Sequence, residues 1–359
     1  MKKVEETLHG LTLEDLRGRL VGAGHAGYRA EQVMDWVYRK RVEEVGMMSN
    51  LPADLRKMLS EQFQISQLEQ VRVQGSEDTT RKFLFRLGDG SLIETVLIPA
   101  NPALYGEKSD RMTLCVSTQV GCAYGCKFCA SGLDGWKRNL GVGEIVGQVL
   151  QVEKITGERV SNIVFMGMGE PLANYANLAV ALEVLNAPWG VGIGARRMTI
   201  STSGLAPKIK ELAENALQVR LAISLHGATD EVRQQIMPVN KKHPLAELLE
   251  ACVYYVRKKK QKLTFEYILI DGVNDREEDA RALVKVARKV DAKVNCIPYN
   301  TVDGLEWRRP DDARQDAFMH ILKQGKVTAT LRREKGHDIA AACGQLRRKT
   351  MEGLGLGAV

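Results

Sequence analysis

Apolar positions change their period twice along this chain. Up to about Gln67 they recur at helical spacing, in LTLEDLRGRLVGAG (residues 11–24), YRAEQVMDWVYRKRV (28–42) and LPADLRKMLSEQF (51–63). The first run ends in Gly and the last opens with Pro near its first turn, which predicts three helices. From Val71 to Ile98 the period drops to two. RKFLFRL and SLIETVLI, joined by Gly88, Asp89 and Gly90, predict a β-hairpin. Residues 100–110 read as a loop. From Met112 onward short β-rich runs (MTLCVST, NIVFMGM, RMTISTS, VRLAISL, LTFEYILI, AKVNCIPYN, KVTATLR) alternate with helical ones such as VGEIVGQVLQVEKITG and NDREEDARALVKVARKV. Repeated β-then-α units predict a parallel sheet or barrel with helices outside. Ligand chemistry then belongs at the carboxyl ends of the strands. Polar and small residues stand there: a cysteine loop after the first strand, Gly167 to Glu170 after the second, Ser201 at the third, Ser224 and His226 at the fourth, and Asn300 at the sixth.

Composition narrows the class. At 359 residues, 44% hydrophobic and 26% charged, the chain has material for a large core, and the length suits one large domain plus a smaller one. No apolar run approaches the ~18–20 residues that span a bilayer. The opening MKKVEETLHGLTLEDL lacks the apolar stretch of a signal peptide. Seven cysteines, an odd number, do not suit a secreted disulfide framework, so a cytoplasmic protein is expected. The net charge of +7 is mildly basic. Basic runs at Arg257–Lys262, Trp136–Arg138, Trp307–Arg309, Arg332–Lys335 and Arg347–Lys349 read singly as solvated ends. Together they are compatible with a phosphate-binding surface.

The chemistry is concentrated in GCAYGCKFCA, where Cys122, Cys126 and Cys129 form a C-x₃-C-x₂-C run. Thiolates are soft ligands for iron–sulfur clusters or zinc. Structural zinc wants four protein ligands, commonly in two short pairs, and that pattern is absent. Three ligands leave one iron of a cubane cluster open to chelation by a small molecule. The arrangement resembles the signature of the radical S-adenosylmethionine (SAM) superfamily. MGMGEP (Met166–Pro171) follows a strand; its glycines would allow close backbone approach to a ligand, and Glu170 could receive an ammonium group. Cys115 and Cys343 lie outside the cluster run, while Cys252 and Cys296 read as buried apolar fillers.

LCVSTQVGCAYGCKFCASGLDGWKRNL, then GMGEPLANY, STSG, ISLH, MPVNKK, GVND, CIPYN and HDIAAACGQL in that order, resemble the RlmN/Cfr family of radical-SAM RNA methyltransferases over nearly the whole chain. The resemblance implies a partial (β/α)6 barrel over 111–350, preceded by a helical RNA-binding domain over 1–67 and a hairpin segment over 68–110. It implies a [4Fe-4S] cluster on Cys122, Cys126 and Cys129, and SAM contacts at Gly169, Glu170, Ser201, Ser224, Leu225, His226 and Asn300. Two SAM molecules would serve each turnover. Cys343 would be methylated first, and a 5′-deoxyadenosyl radical would then take hydrogen from its methyl group. Cys115 would release the product through a transient disulfide, and Glu94, otherwise a lone strand carboxylate, would remove the ring proton. The implied partners are 23S rRNA, tRNA and a flavodoxin- or ferredoxin-like electron donor, with the enzyme a monomer free of membranes. Pro171 and Val120 look like the branch that methylates adenine C2 rather than C8. Ala340, where the family often has an acidic residue, and a long loop between Ile98 and Met112 depart from the pattern.

The competing readings are a radical-SAM enzyme of another type, which would insert sulfur or generate a glycyl radical, and a zinc-stabilised RNA-binding protein. Colour separates the last: anaerobically purified protein should be brown, hold about four irons and bleach with dithionite, whereas a colourless zinc-loaded chain would contradict the cluster. Replacing Cys343 with Ala should abolish methyl transfer; retained activity would favour the other enzyme types.

Overall fold

The computed structural model describes residues 6–65, 68–76, 79–100, 110–133, 135–300 and 305–332. Cys343, Ala340 and most of the loop before Met112 lie outside these. The N-terminal helices form as their periodicity predicts. α1 (Leu13–Gly22) opens on a capping box, in which the Thr12 hydroxyl accepts the Asp15 N–H at 3.1 Å and the Thr12 N–H donates to the Asp15 carboxylate. α2 (Arg29–Met34) is shorter than its pattern. It loosens into a π-helical turn over Asp35–Arg39, and the backbone turns left-handed at Arg41 (φ 53°). That turn carries the Arg41 side chain across to Glu153, with which it pairs. α3 (Ala53–Gln62) follows Pro52. Leu16, Leu20, Val33, Met34, Leu55 and Leu59 are buried between the three helices.

β1 (Glu69–Gly75), β2 (Arg81–Arg86) and β3 (Leu92–Pro99) make an antiparallel meander. Only its second and third strands were legible as a hairpin; β1 is exposed along most of its length and so lacks a clear alternation. The meander is no detached linker. β3 pairs antiparallel with β4 (Met112–Cys115), so the hairpin is continuous with the main sheet. After β4 comes a two-stranded ribbon, β5 (Gln119–Gly121) and β6 (Trp136–Asn139), which brackets the cysteine loop and the short α4 (Ala130–Leu133).

Then the parallel units run α5 (Val142–Thr156), β7 (Asn162–Phe165), α6 (Tyr175–Asn186), β8 (Met198–Thr202), α7 (Ala206–Glu214), β9 (Arg220–Ser224), α8 (Asp230–Ile236), α9 (Leu245–Lys259), β10 (Thr264–Leu269), α10 (Glu277–Val290), β11 (Lys293–Pro298), α11 (Asp312–Gln324) and β12 (Ala329–Leu331). The sheet order is β1-β2-β3-β4-β7-β8-β9-β10-β11-β12, parallel from β4 onward. This is an α/β fold with a mostly parallel sheet and a helical N-terminal region, as the resemblance implies. No helix among the described residues is long and apolar enough to cross a membrane.

Side chains alternate between the two faces of each strand. Leu114, Ile163, Phe165, Ile200, Leu221, Ile223, Phe265, Tyr267, Val294 and Cys296 are all but fully buried in the main core. The opposite face is polar. There Ser224 registers with Glu266, Glu266 with Asn295, and Asn295 with Thr330. Cys252 and Cys296 are fully buried, as fillers should be.

On the hairpin, Lys82 registers with Val96 and Leu84 with Glu94, which puts Lys82 and Glu94 on one face. Their side chains are 0% and 1% exposed, and Nζ lies 2.9 Å from Oε2. Breaking one half of such a pair strands a charge where water cannot reach it. Lys82→Met should therefore lower stability by about 3–5 kcal/mol, and adding Glu94→Leu should recover much of that loss. Urea unfolding of both variants checks this; a single variant as stable as the parent would contradict it.

Candidate active site

The cysteine loop is held at both ends. Cys122 N–H donates to Gly135 O at 2.9 Å, where β6 begins, and Lys127 N–H donates to Ile236 O at 3.0 Å, at the end of α8. All three cysteines are half-buried. Burial raises each of them, Cys122 to about 12; at Cys126 the neighbouring Cys129 and Cys122 charges push further in the same direction. At Cys129, N–H groups of Ser131 and Gly132 at the start of α4 oppose the rise. Three sulfurs that repel one another when ionised call for a cationic centre between them, and soft thiolates suit iron. Among the described residues no three His, Cys, Asp or Glu side chains converge as one mononuclear ion requires. A cubane takes each thiolate on a different iron and does not demand that convergence. The donor set therefore fits an iron–sulfur cluster.

Beneath the loop, β3, β4 and β7 are locked together by buried hydrogen bonds. Ser117 Oγ donates to Glu94 O at 2.6 Å and accepts Met168 N–H at 2.9 Å. Gln148, reaching from α5, accepts from Ser117 N–H and from Thr95 Oγ1, and donates to Ser117 O. The glycines after β7 allow a close approach to the segment after β4. A Cβ on Gly167 would fall 2.7 Å from Ser117 Oγ, and one on Gly169 (φ +102°) 2.5 Å from Gln119 Cβ. Glu170 is engaged within the protein. Its Oε1 accepts Leu172 N–H at 3.0 Å and its Oε2 accepts Ser203 N–H at 2.6 Å, so the carboxylate ties the β7 loop to the β8 loop. Burial holds its acidity weaker than an ordinary carboxylate.

The remaining expected residues line the strand ends beyond. Ser201 Oγ and Ser224 Oγ lie 3.4 Å apart, on neighbouring strands β8 and β9. Leu225 is fully buried. His226 sits in a left-handed conformation (φ 54°). Its Nδ1 accepts Ile268 N–H at 3.0 Å, which leaves the ring proton on Nε2. Burial, then the Arg233 charge, lowers its pKa to about 3, so it is neutral. Its ring meets Phe128 of the cysteine loop edge-on, at 4.7 Å between centroids. Asn300 is exposed just past β11.

Cys115 and Glu94 come together. Cys115 registers with Val96, two residues from Glu94 and on the same strand face. Burial pushes the Cys115 thiol up to about 11, while the charges of Arg332 and Lys82 pull the other way. Glu94 acts electrostatically on both Cys115 and Cys129. The surface reading of a lone Glu94 is thus overturned by its pairing with Lys82. Arg332, beyond β12, is the last described residue before the stretch that holds Cys343.

Sequence reasoning missed several groups. Lys82, Gln148 and Arg233 are buried polar side chains in runs that read as ordinary strand or helix. A polar ladder also went unread: Asn295 Nδ2 donates to Glu266 Oε2 at 2.7 Å, and Thr330 Oγ1 to Asn295 Oδ1 at 3.0 Å. Inward parity in FEYILI and VNCIP was the available signal. Of the basic runs, Arg138 is engaged by Asp89 and Glu144, and Lys258 and Lys262 by Glu214 and Asp291.

Comparison with known proteins matches this geometry to a family. Residues 116–284 match the Radical SAM superfamily, and residues 7–65 match the ribosomal RNA large subunit methyltransferase N-terminal domain. A probable dual-specificity RNA methyltransferase RlmN of Akkermansia muciniphila is 57% identical over 95% of this chain and 95% of its own. A counterpart in Opitutus terrae is 55% identical over 96% and 94%. A crystal structure of a radical SAM methyltransferase from Sphaerobacter thermophilus superposes with a TM-score of 0.88 at 42% identity, over 95% of this chain and 98% of that one. With both family matches on this chain and identities above 50% over nearly its whole length, the chain belongs to the RlmN family of radical-SAM RNA methyltransferases.

Proposed function

We propose that this enzyme methylates C2 of an adenine in 23S rRNA and in tRNA, through a methyl group carried on Cys343 and a transient Cys115–Cys343 disulfide. The observation that carries this reading is the shared strand face of Glu94 and Cys115 beside the cysteine loop. Adenine C2 is electron-poor and cannot attack the SAM methyl, so a radical must be added to it. A cluster would be held by Cys122, Cys126 and Cys129 and would supply the one electron that cleaves SAM to a radical. Ser201, Ser224 and the Nε2–H of neutral His226 offer hydroxyl and N–H groups to SAM, with Leu225 and the backbone at Gly169 and Glu170 closing the pocket; Asn300 stands at its rim.

Once the carbon is attached to the ring, Glu94 takes the C2 proton, and the odd electron left on the adduct would return to the cluster, so the ring regains its aromaticity. Cys115 then attacks the Cys343 sulfur as thiolate; the C–S electron pair leaves on the exocyclic carbon, which takes up the proton held by Glu94 to become the methyl group, and a disulfide remains for an external reductant. A thiol pushed up by burial needs help to ionise; Arg332 and Lys82 supply positive charge near it. The target adenine must leave its stack to reach this face, which favours naked or single-stranded RNA over an assembled ribosome. On this reading the enzyme works in the cytoplasm as a monomer, with a small flavodoxin- or ferredoxin-like electron donor.

Mass spectrometry of 23S rRNA and tRNA fragments after anaerobic turnover should reveal 2-methyladenosine. Finding 8-methyladenosine instead would move the assignment to the other branch. Cys115→Ala should leave the RNA covalently attached to protein on a denaturing gel. Glu94→Gln should slow product formation by at least ~100-fold and hold the same adduct. Adduct-free, active variants would remove both residues from the scheme.

A further inference from the structure

Arg233, on α8, is 0% exposed. Its guanidinium is held by backbone carbonyls: Nη1 donates to Ser224 O at 3.0 Å and Leu225 O at 2.5 Å, and Nη2 donates to Ser203 O. Nε has no hydrogen-bond partner. The neighbouring carboxylates are committed elsewhere. Asp230 accepts from Asn240 Nδ2 and Leu245 N–H, both at 2.8 Å, and Glu170 from the Leu172 and Ser203 N–H groups. The fold is fitted round this cation. A Cβ on Gly204 (φ +113°) would lie 2.8 Å from Nη2, and one on Gly227 2.7 Å from Arg233 N.

A buried guanidinium costs several kcal/mol even after its surroundings relax. Carbonyl dipoles offset part of this and leave a whole positive charge in place. What it faces is the cysteine loop. The Cys126 thiolate acts on it electrostatically, the Lys127 N–H is bonded to Ile236 O three residues along the same helix, and Phe128 rests against His226, which is neutral. Other charges that reach these thiols, from Glu170 and Glu94, are negative.

We propose that Arg233 is the built-in counter-charge of the iron–sulfur cluster, a positioning residue that stabilises its reduced, more negative state while holding the Ser203, Ser224 and Leu225 carbonyls in place. This rests on the reading of Cys122, Cys126 and Cys129 as cluster ligands. Cluster potentials respond to net charge and to nearby hydrogen bonds. In a water-poor interior an uncompensated cation acts over a longer range than at the surface. The same residue thereby links the ease of reduction to the shape of the strand ends that would receive SAM.

The test is an EPR-monitored redox titration of the full chain, reconstituted anaerobically and without SAM, with iron content measured alongside. Arg233→Met should lower the reduction equilibrium at least tenfold, equivalent to 59 mV for a one-electron couple. Arg233→Lys, which keeps the charge but loses the planar fork, should stay near the parent. Should Arg233→Met not hold iron, Arg233→Gln removes the charge while keeping a donor, and should shift the same way. An iron-loaded neutral variant with a parental midpoint would overturn the proposal, as would a Lys variant shifted as far as the neutral one. Weakened SAM binding at an unchanged midpoint would overturn it too, by assigning the cation to the methionine carboxylate. A parent chain without about four irons would instead remove the cluster reading itself, a separate outcome.

Discussion

One buried hydrogen-bonded junction, centred on Ser117 and Gln148, joins the three segments from which the site is assembled. Ser117 Oγ bonds the backbone of β3 at Glu94 and the backbone after β7 at Met168, while Gln148 bridges Ser117 to Thr95. Each bond contributes about 1 kcal/mol net, but an unpaired group left at this depth costs about 1–3 kcal/mol. The junction is therefore satisfied as a whole or not at all. It explains why a hairpin preceding the barrel belongs to the site, since it sets Glu94 relative to Cys115 and to the loop carrying Cys122, Cys126 and Cys129.

Around the junction the protein keeps ionised groups buried by three different means. Lys82 and Glu94 neutralise each other at 2.9 Å. Glu170 is stabilised by two backbone N–H groups and Arg233 by three carbonyls, and together they hold the Ser203 backbone, Glu170 at its N–H and Arg233 at its C=O. Backbone dipoles aimed in this way act without moving, which is the condition for electrostatic preorganisation. His226, next to them, is kept neutral and serves as a hydrogen-bonding and packing group.

The helical N-terminal domain is attached to the barrel through α5. Arg41 pairs with Glu153 and Glu43 with Lys154, and a Cβ on Gly10 would lie 3.4 Å from Gly143 N. The same helix delivers Gln148 to the junction. It thus touches the N-terminal domain on one side and the floor of the site on the other, which gives the two a common rigid reference.

Local pattern carried much of this protein. The switch from helical to two-residue period marked the N-terminal helices, the hairpin and the β-α repeats, because burial of one face imposes a period on each element separately. The three clustered cysteines and the ordered motifs indicated radical-SAM chemistry because ligand spacing within one loop is a local property. What stayed hidden depends on register and crossing. The use of Gly167 and Gly169 to admit Ser117 and Gln119, the closing of Glu170 on two amides, and the burial of Glu94 against Lys82 each need strands distant in sequence to be laid side by side. Arg233 shows the limit most plainly: a charged residue in a short helix reads as solvated, and only the packing of α8 beneath the cysteine loop turns it into a buried cation.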